Sequence, residues 1–523
     1  MSSEIIQGPT PEEKPEIVPE VIPKMKRKSR WQRFLGWEFL GLFIIVLITL
    51  IFHFIAIQSP TTIVWDEVYY VGDARSIFSG TGELRPEHPP LAKLFIVAGD
   101  YIFNGFKTPE YASGVTTIQM VNSGNSSTTI DVTDASKFTV GMTIRIDAEQ
   151  MTVTGVNSVT NEITVNRGAG GTVIASHNES EQIYIFTDTA FDWRFFSIIF
   201  GTLGTIIFYF ICRKLGFSTK GSIIATFLLA MDDMVFVTSG LALLDIYMIT
   251  FMLAAVLFYL DEKYILSGIF VALSANCKLM GVLIIIAIFL HWAIYRVDKW
   301  KEFAVSLVVA AVSFVFFLEY FDLFINKAFE NPITRINALL SGTAAVVFTN
   351  PKLSISSRPW TWLYPQWFRA FYMGPNVPVI IYSFNPQYLS FISPTIQILI
   401  IPIIIYMIYK AIKKSKVAGL VLLWFLATYV IWIPLDIISN RVTFVYYFLS
   451  TTPAICIGIT IAITDWLNYL KKRRAALNRL TTGVALSYSL IGLYLFLHLA
   501  IFIFFNPAIP PIVKTWLPPF HIP

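Results

Sequence analysis

Asp66 and Glu67 form an adjacent acid pair, and His88, Pro89 and Pro90 follow in the same polar stretch, WDEVYYVGDARSIFSGTGELRPEHPPLAK (65–93). Neighbouring carboxylates on a helix point in different directions, so the two are expected to divide the work: one faces a reacting centre and the other holds a neighbour. A carboxylate in a partly desolvated mouth has its pKa raised toward neutrality and can take the proton of an attacking alcohol. The plainer alternative is an ordinary solvated loop acid. Proline is tolerated in a first helical turn, so His88-Pro89-Pro90 reads as the start of a helix carrying Lys93. No second His or Cys stands near His88 at metal-ligand spacing, which favours a hydrogen-bonded turn residue over a ligand.

Four cations form the complementary set. Arg194 opens one apolar segment, Lys278 interrupts another, Arg358 precedes Pro359-Trp360, and Arg441 opens a further segment. Singly, each could be a snorkelling side chain at a span end. Converging in one layer with Asp66, they would cradle a phosphate that stays anionic as it departs. Asp245, in LALLDIYM, could orient one of them.

These residues need a frame that holds charge at a membrane edge. The chain has 523 residues, 55% hydrophobic and only 14% charged, with mean hydropathy +0.63, against about 25% charged in soluble domains. It reads as a polytopic, mainly α membrane protein. Apolar segments at 36–57, 193–212, 219–237, 241–260, 264–277, 279–295, 303–321, 393–410, 418–435, 442–464 and 482–505 predict about eleven spans. The basic cluster from Lys24 to Arg33 puts the N-terminus in the cytoplasm, and alternation then brings every later basic cluster inside and the Asp66 loop outside. Residues 1–33, rich in Pro and Glu up to 23, are expected to be a disordered cytoplasmic tail. The region 34–113 holds the first span and the acidic loop, with Leu91–Phe106 as an interfacial helix. From 114 to 187 β-branched residues alternate between Gly, Asn and Ser turns, which predicts a small all-β insertion in the first outer loop. Asn125 and Asn178 head possible glycosylation tripeptides. The core is 188–505, with an outer loop 322–391 rich in Trp and Tyr, and 506–523, ending KTWLPPFHIP, is an outer tail. Cys212, Cys277 and Cys456 show no disulfide or metal spacing and read as small core residues.

WDEVYYVGDA, EHPPLAKLF, WRFFSIIFGTLG, LALLD, NCKLMGV, SSRPWTW, FNPQYL and RVTFVYYFL occur in the order and topological positions of the protein O-mannosyltransferases. The chain thus resembles that dolichyl-phosphate-mannose-dependent family of the GT-C class from about Trp65 to Pro453. The resemblance implies that Asp66 and Glu67 are the catalytic acids, with Asp66 the better candidate for base, and that Arg194 serves the lipid phosphate. It places Lys278, Arg358 and Arg441 at matching basic positions. The implied reaction transfers a sugar, with inversion, from a polyprenyl-phosphate donor to a protein Ser or Thr hydroxyl, without nucleotide, metal or other cofactor.

Gly240 and Tyr447 stand where many relatives carry arginine and histidine, and the soluble module that eukaryotic members place after the seventh span is missing. The latter fits an archaeal or bacterial member in a plasma membrane, some relatives of which act as dimers. The expected partners are the lipid-linked donor, an acceptor protein and membrane lipid, with no nucleic acid. A GT-C enzyme using another lipid-linked sugar or a lipid acceptor is the main rival. A transporter or flippase would instead show midplane charges and internal repeats.

Overall fold

The computed structural model describes residues 37–59, 61–124, 126–344, 357–363, 382–385, 388–477 and 481–508. The expected tail 1–33, Asn125, much of the 322–391 loop, part of FNPQYL and the segment KTWLPPFHIP lie outside the described residues. The chain divides into a short unit, Met1–Gly41, described only over the first turn of its helix, and a body from Leu42 to Pro523.

Helix α1 (Trp37–Ala56) is followed by the polar stretch, which folds into α2 (Glu67–Phe78) and α3 (Leu91–Phe103). Lys93 and Asp100 of α3 are fully buried, so its charged positions face protein rather than water. Six strands follow: β1 (Glu110–Thr116), β2 (Ser127–Asp131), β3 (Thr143–Ile146), β4 (Glu149–Asn157), β5 (Glu162–Ala169) and β6 (Gln182–Phe186). They form one antiparallel sheet in the order β1-β6-β3-β4-β5-β2. Alternation explains the core of this β module. Ile144, Ile146, Met151, Val153, Ile163, Val165, Ile183 and Ile185 share one buried face, and the polar residues between them point outward.

The remaining helices are α4 (Ala190–Lys214), α5 (Thr219–Ala230), α6 (Asp233–Gly240), α7 (Leu244–Leu260), α8 (Tyr264–Cys277), α9 (Ile284–Tyr295), α10 (Trp300–Asn326) and α11 (Pro332–Ala344). After a short hairpin, Tyr382–Asn385 with Tyr388–Ser390, come α12 (Pro394–Gln397), α13 (Ile400–Ile412), α14 (Lys416–Phe425), α15 (Trp432–Ser439), α16 (Thr452–Leu477) and α17 (Thr482–Phe505). A helix or helix pair stands at each expected apolar segment. Among the described residues six are long and apolar enough to cross a membrane: α1, α4, α10, α14 with α15, α16 and α17. The pair α5 and α6, bent by 64°, meets the same length and hydropathy test when taken together, as a broken span or a re-entrant loop.

The bend has a local cause. Asp232 caps α6 by accepting the Val235 N–H (3.1 Å), and its other oxygen accepts the Ser393 N–H (3.0 Å), so the loop before α12 wedges into the break. α4 is started by a capping box in which Asp192 accepts the Thr189 N–H (2.6 Å). The segment expected at 442–464 starts with residues 441–444 drawn out beside Ser357, whose N–H donates to the Thr443 carbonyl (2.8 Å), continues as a 3-10 helix, Val445–Ser450, and becomes α-helical at Thr452. All three cysteines are free and buried.

Candidate active site

The turn ahead of α2 sends the two acids different ways. Trp65 adopts a left-handed backbone (φ 49°), a strain of about 1–3 kcal/mol that clusters at functional sites, and its ring meets Tyr446 edge-on at 4.8 Å. Asp66 is the N-cap of α2 and Glu67 its first residue. Glu67 is fully buried and saturated: Arg194 donates to it through Nε and Nη2 (both 2.8 Å), and the Val64 and Ala242 N–H groups donate at 2.9 Å. Arg194 also donates to the carbonyls of Ile57 (3.0 Å) and Thr62 (3.2 Å). This pair therefore fastens α4 to the turn that carries Asp66, and Arg194 is not in the cavity wall.

Asp66 is. It lines a cavity of about 570 Å³ together with Arg85, His88, Lys278 and Arg441. The rings of Tyr69, Tyr70, Tyr446 and Tyr447 complete much of the wall. Among the described residues no side chain hydrogen-bonds the Asp66 carboxyl. Desolvation pushes that carboxyl up to about 7; Lys278 and Arg85 pull it back, and Asp245 adds to the rise.

Each basic residue has a distinct setting. Lys278 sits in an extended break between α8 and the following 3-10 turn (φ −155°, ψ 132°), with its Nζ 2.8 and 2.9 Å from the two Asp245 oxygens and 4.8 Å from the Tyr446 ring centre. Arg441 lies over Trp432 (5.8 Å), and its buried Nε has no hydrogen-bond partner. Arg358 is outside the cavity wall: Nη1 donates to both Asp436 oxygens (3.0 and 2.9 Å) and Nη2 to Asn440 Oδ1 (2.8 Å), which holds the residue just before Arg441. Trp360 is exposed and lies under Arg358 at 5.9 Å. The sequence expectation of four phosphate-facing cations thus resolves into two at the cavity, Lys278 and Arg441, and two that fasten its walls.

His88 lines the cavity edge-on to Tyr70 at 5.7 Å. Burial first, then the charges of Lys278, Lys93, Arg85 and Arg441, hold its imidazole well below the usual histidine value. Pro89 is buried before α3. Lys93 does not reach the cavity: it bridges Asp73 (3.0 Å) and Glu83 (2.9 Å), and Arg335 extends the chain of charges from Glu83 (2.8 Å) to Asp322 (2.6 Å).

Sequence reasoning assigned no role to Arg85 or to the tyrosines. The signal for Arg85 was its place three residues before His88, in a loop already singled out for its chemistry.

Fold and site define a class: a mainly helical integral membrane protein with a cavity that sets the carboxyls of Asp66 and Glu87 beside several cations. Residues 171–329 match the sequence model of the family described as dolichyl-phosphate-mannose-protein mannosyltransferase. The matched stretch includes Arg194, Asp245 and Lys278 but precedes Arg358 and Arg441 and follows Asp66. A polyprenol-phosphate-mannose–protein mannosyltransferase of Corynebacterium glutamicum is 34% identical over 103 residues, a match spanning 19% of this chain and only 20% of that relative's length. Among solved structures, ArnT of Cupriavidus metallidurans bound to undecaprenyl phosphate aligns with TM-score 0.48 and 13% identity over 90% of this chain and 76% of its own. The apo oligosaccharyltransferase of Archaeoglobus fulgidus gives 0.47 and 13% over 92% and 57%. The S. cerevisiae Pmt1-Pmt2 complex bound to the sugar donor gives 0.33 and 17% over 62% and 36%.

Proposed function

We propose that this chain is a membrane glycosyltransferase that moves mannose from a polyprenyl phosphate to a Ser or Thr hydroxyl of a protein on the outer side of the membrane. The observation that carries this reading is Asp66, whose carboxyl takes no side-chain hydrogen bond among the described residues and is pushed up to about 7 by desolvation, in a cavity that also holds Arg85, Lys278 and Arg441. The acceptor oxygen attacks the anomeric carbon from the side opposite the phosphate. The bond from that carbon to the phosphate oxygen breaks, its electron pair leaves with polyprenyl phosphate, the acceptor proton passes to Asp66, and the configuration inverts. Lys278 and Arg441 meet the charge that collects on the departing phosphate, so the scheme calls on no metal or nucleotide. Asp245 orients Lys278, while Glu67 with Arg194, and Arg358 with Asp436, fix the segments that carry Asp66 and Arg441. The names of the matched family and of the Corynebacterium relative support the donor and the protein acceptor.

Seven span-length crossings and four shorter apolar helices would make eleven passes, with the N-terminus inside and Asp66 outside. The test is to incubate purified protein with labelled polyprenyl-phosphate mannose and a Ser/Thr-rich peptide. Label on the peptide with the inverted linkage is expected. Label on lipid alone would overturn the protein-acceptor reading.

A further inference from the structure

The β module does not hang free of the acidic loop; it is docked on α2, the helix that Asp66 begins. Gly72 of α2 and Gly170 of the β5–β6 loop cross backbone to backbone, so closely that a Cβ on Gly72 would lie 2.6 Å from the Gly170 Cα. Gln150 Nε2 of β4 donates to the Gly72 carbonyl (3.0 Å). One turn along, Arg75 donates through Nε to Asp188 (3.0 and 3.2 Å) and through Nη1 to Thr143 Oγ1 (3.1 Å) of β3.

What this docking supports is Arg85. The turn Gly168–Thr172 is closed by the Gly171 N–H donating to the Gly168 carbonyl (3.2 Å) and by Thr172 Oγ1 donating to the Ala169 carbonyl (2.8 Å). Gly171 in this turn has φ +79°, and a Cβ there would overlap the Arg85 guanidinium. The guanidinium carbon also lies over the Tyr69 ring, 4.4 Å from its centre. The backbone on either side is pinned as well: the Leu84 N–H donates to Asp73 Oδ1 (2.7 Å), Lys93 donates to the Arg85 carbonyl and Arg335 to the Pro86 carbonyl. Among the described residues Arg85 pairs with no carboxylate. A guanidinium this constrained, facing a cavity and in no contact ion pair among the described residues, is a preorganised anion site.

We infer that the β module is a working part of the active site: its Gly168–Thr172 turn holds Arg85 against the cavity, where Arg85 binds the phosphate of an isoprenoid phosphate. This rests on the donor class proposed above but not on the sugar or the acceptor.

The test uses the full chain in lipid nanodiscs, with farnesyl phosphate and farnesol as probes in isothermal titration. Arg85→Gln is expected to weaken farnesyl phosphate about 10- to 100-fold, the size of one charge-assisted contact, and to leave farnesol unchanged. Gly171→Ala should weaken farnesyl phosphate too, yet add no more than about twofold in the Arg85→Gln background, since both act through one group. Gly141→Ala is the control for a strained glycine of the same module: φ is +94° and no atom lies within 4 Å of its Cβ, so native affinity is expected. The inference is overturned if Arg85→Gln binds farnesyl phosphate like the native chain, if Gly171→Ala loses as much again without Arg85, or if Gly141→Ala loses as much as Gly171→Ala. Peptide transfer run in parallel separates the claims: Arg85-dependent binding without peptide labelling sinks the acceptor reading alone, whereas native affinity in Arg85→Gln with normal labelling sinks only this inference.

Discussion

Asp66 and Glu67 differ by one residue and live in opposite environments, which is what their adjacency on a helix start requires. If Asp66 is the base, transfer should rise with pH through about 7 as the carboxyl ionises, because only the carboxylate accepts a proton. Asp66→Asn should cost about 10²–10⁴-fold in kcat and abolish that limb of the pH–rate profile; retained activity with the same profile would exclude it as base. Glu67→Gln reads out differently. It leaves a buried guanidinium short of its counter-charge, and removing one member of such a pair costs about 3–5 kcal/mol. Its thermal midpoint should fall clearly, whereas Asp66→Asn should leave the midpoint unchanged or raise it, since it removes a desolvated carboxyl that has no partner. That the two acids point different ways was legible in the sequence. The duty of Arg194 was not, because its partner lies 127 residues away and a charge at the end of an apolar run looks the same whether it faces a ligand or a buried carboxylate.

At the scale of elements, the strands were readable because a period of two is rigid, and the bend between α5 and α6 was not, because its cause is a loop that arrives from residue 393. The β module also carries its own pH dependence. His177 is buried, with Nδ1 2.7 Å from Asp147 and Nε2 2.9 Å from Glu149, while Arg167 closes the other side of Glu149. Burial lowers the His177 pKa, but the hydrogen bonds to Glu149 and Asp147 and their charges outweigh it and raise the value. Burial likewise raises Glu149, and donation from Arg167, His177 and the Ala175 and Gly168 N–H groups outweighs it, holding the carboxyl at about 2. A raised histidine stabilises fully below its unfolded value of about 6.5 and loses that contribution as pH climbs through the folded value. A depressed glutamate stabilises above about 4.5 and loses it as pH falls toward the folded value. The module should therefore be firmest between about pH 4.5 and 6.5 and loosen above. Hydrogen exchange of the β4 and β5 peptides, corrected for the intrinsic rate, should show the loosening, and His177→Gln should remove it; a flat profile in the native chain would refute it.

Across the whole molecule, charge separates into two sets of loops. Lys214 and Lys263 pair with Asp261, and Arg296 and Lys299 with Glu262, which gathers the turns after α4, α7 and α9 into one cluster. Asp66, Lys278 and Arg441, from connections expected on the opposite side, line one cavity. This arrangement is consistent with alternation of spans in which the short α8 and α9 each count as a crossing; fusing them would leave Lys278 in mid-span and send Arg296 and Lys299 to the side opposite Lys263, although they pair with adjacent acids. On the positive-inside rule the Asp261–Glu262 cluster would lie in the cytoplasm and the β module outside. The orientation is directly measurable because Cys212, Cys277 and Cys456 are all buried, so a single introduced thiol dominates labelling of the intact protein. Val159, in the turn between β4 and β5, is 93% exposed. Val159→Cys should react with a membrane-impermeant maleimide in intact cells, while Lys471→Cys, at the exposed end of α16, should react only after permeabilisation. The reverse pattern would invert the topology and take Asp66 to the cytoplasmic face; labelling of both in intact cells would break the alternation and with it the count of eleven passes.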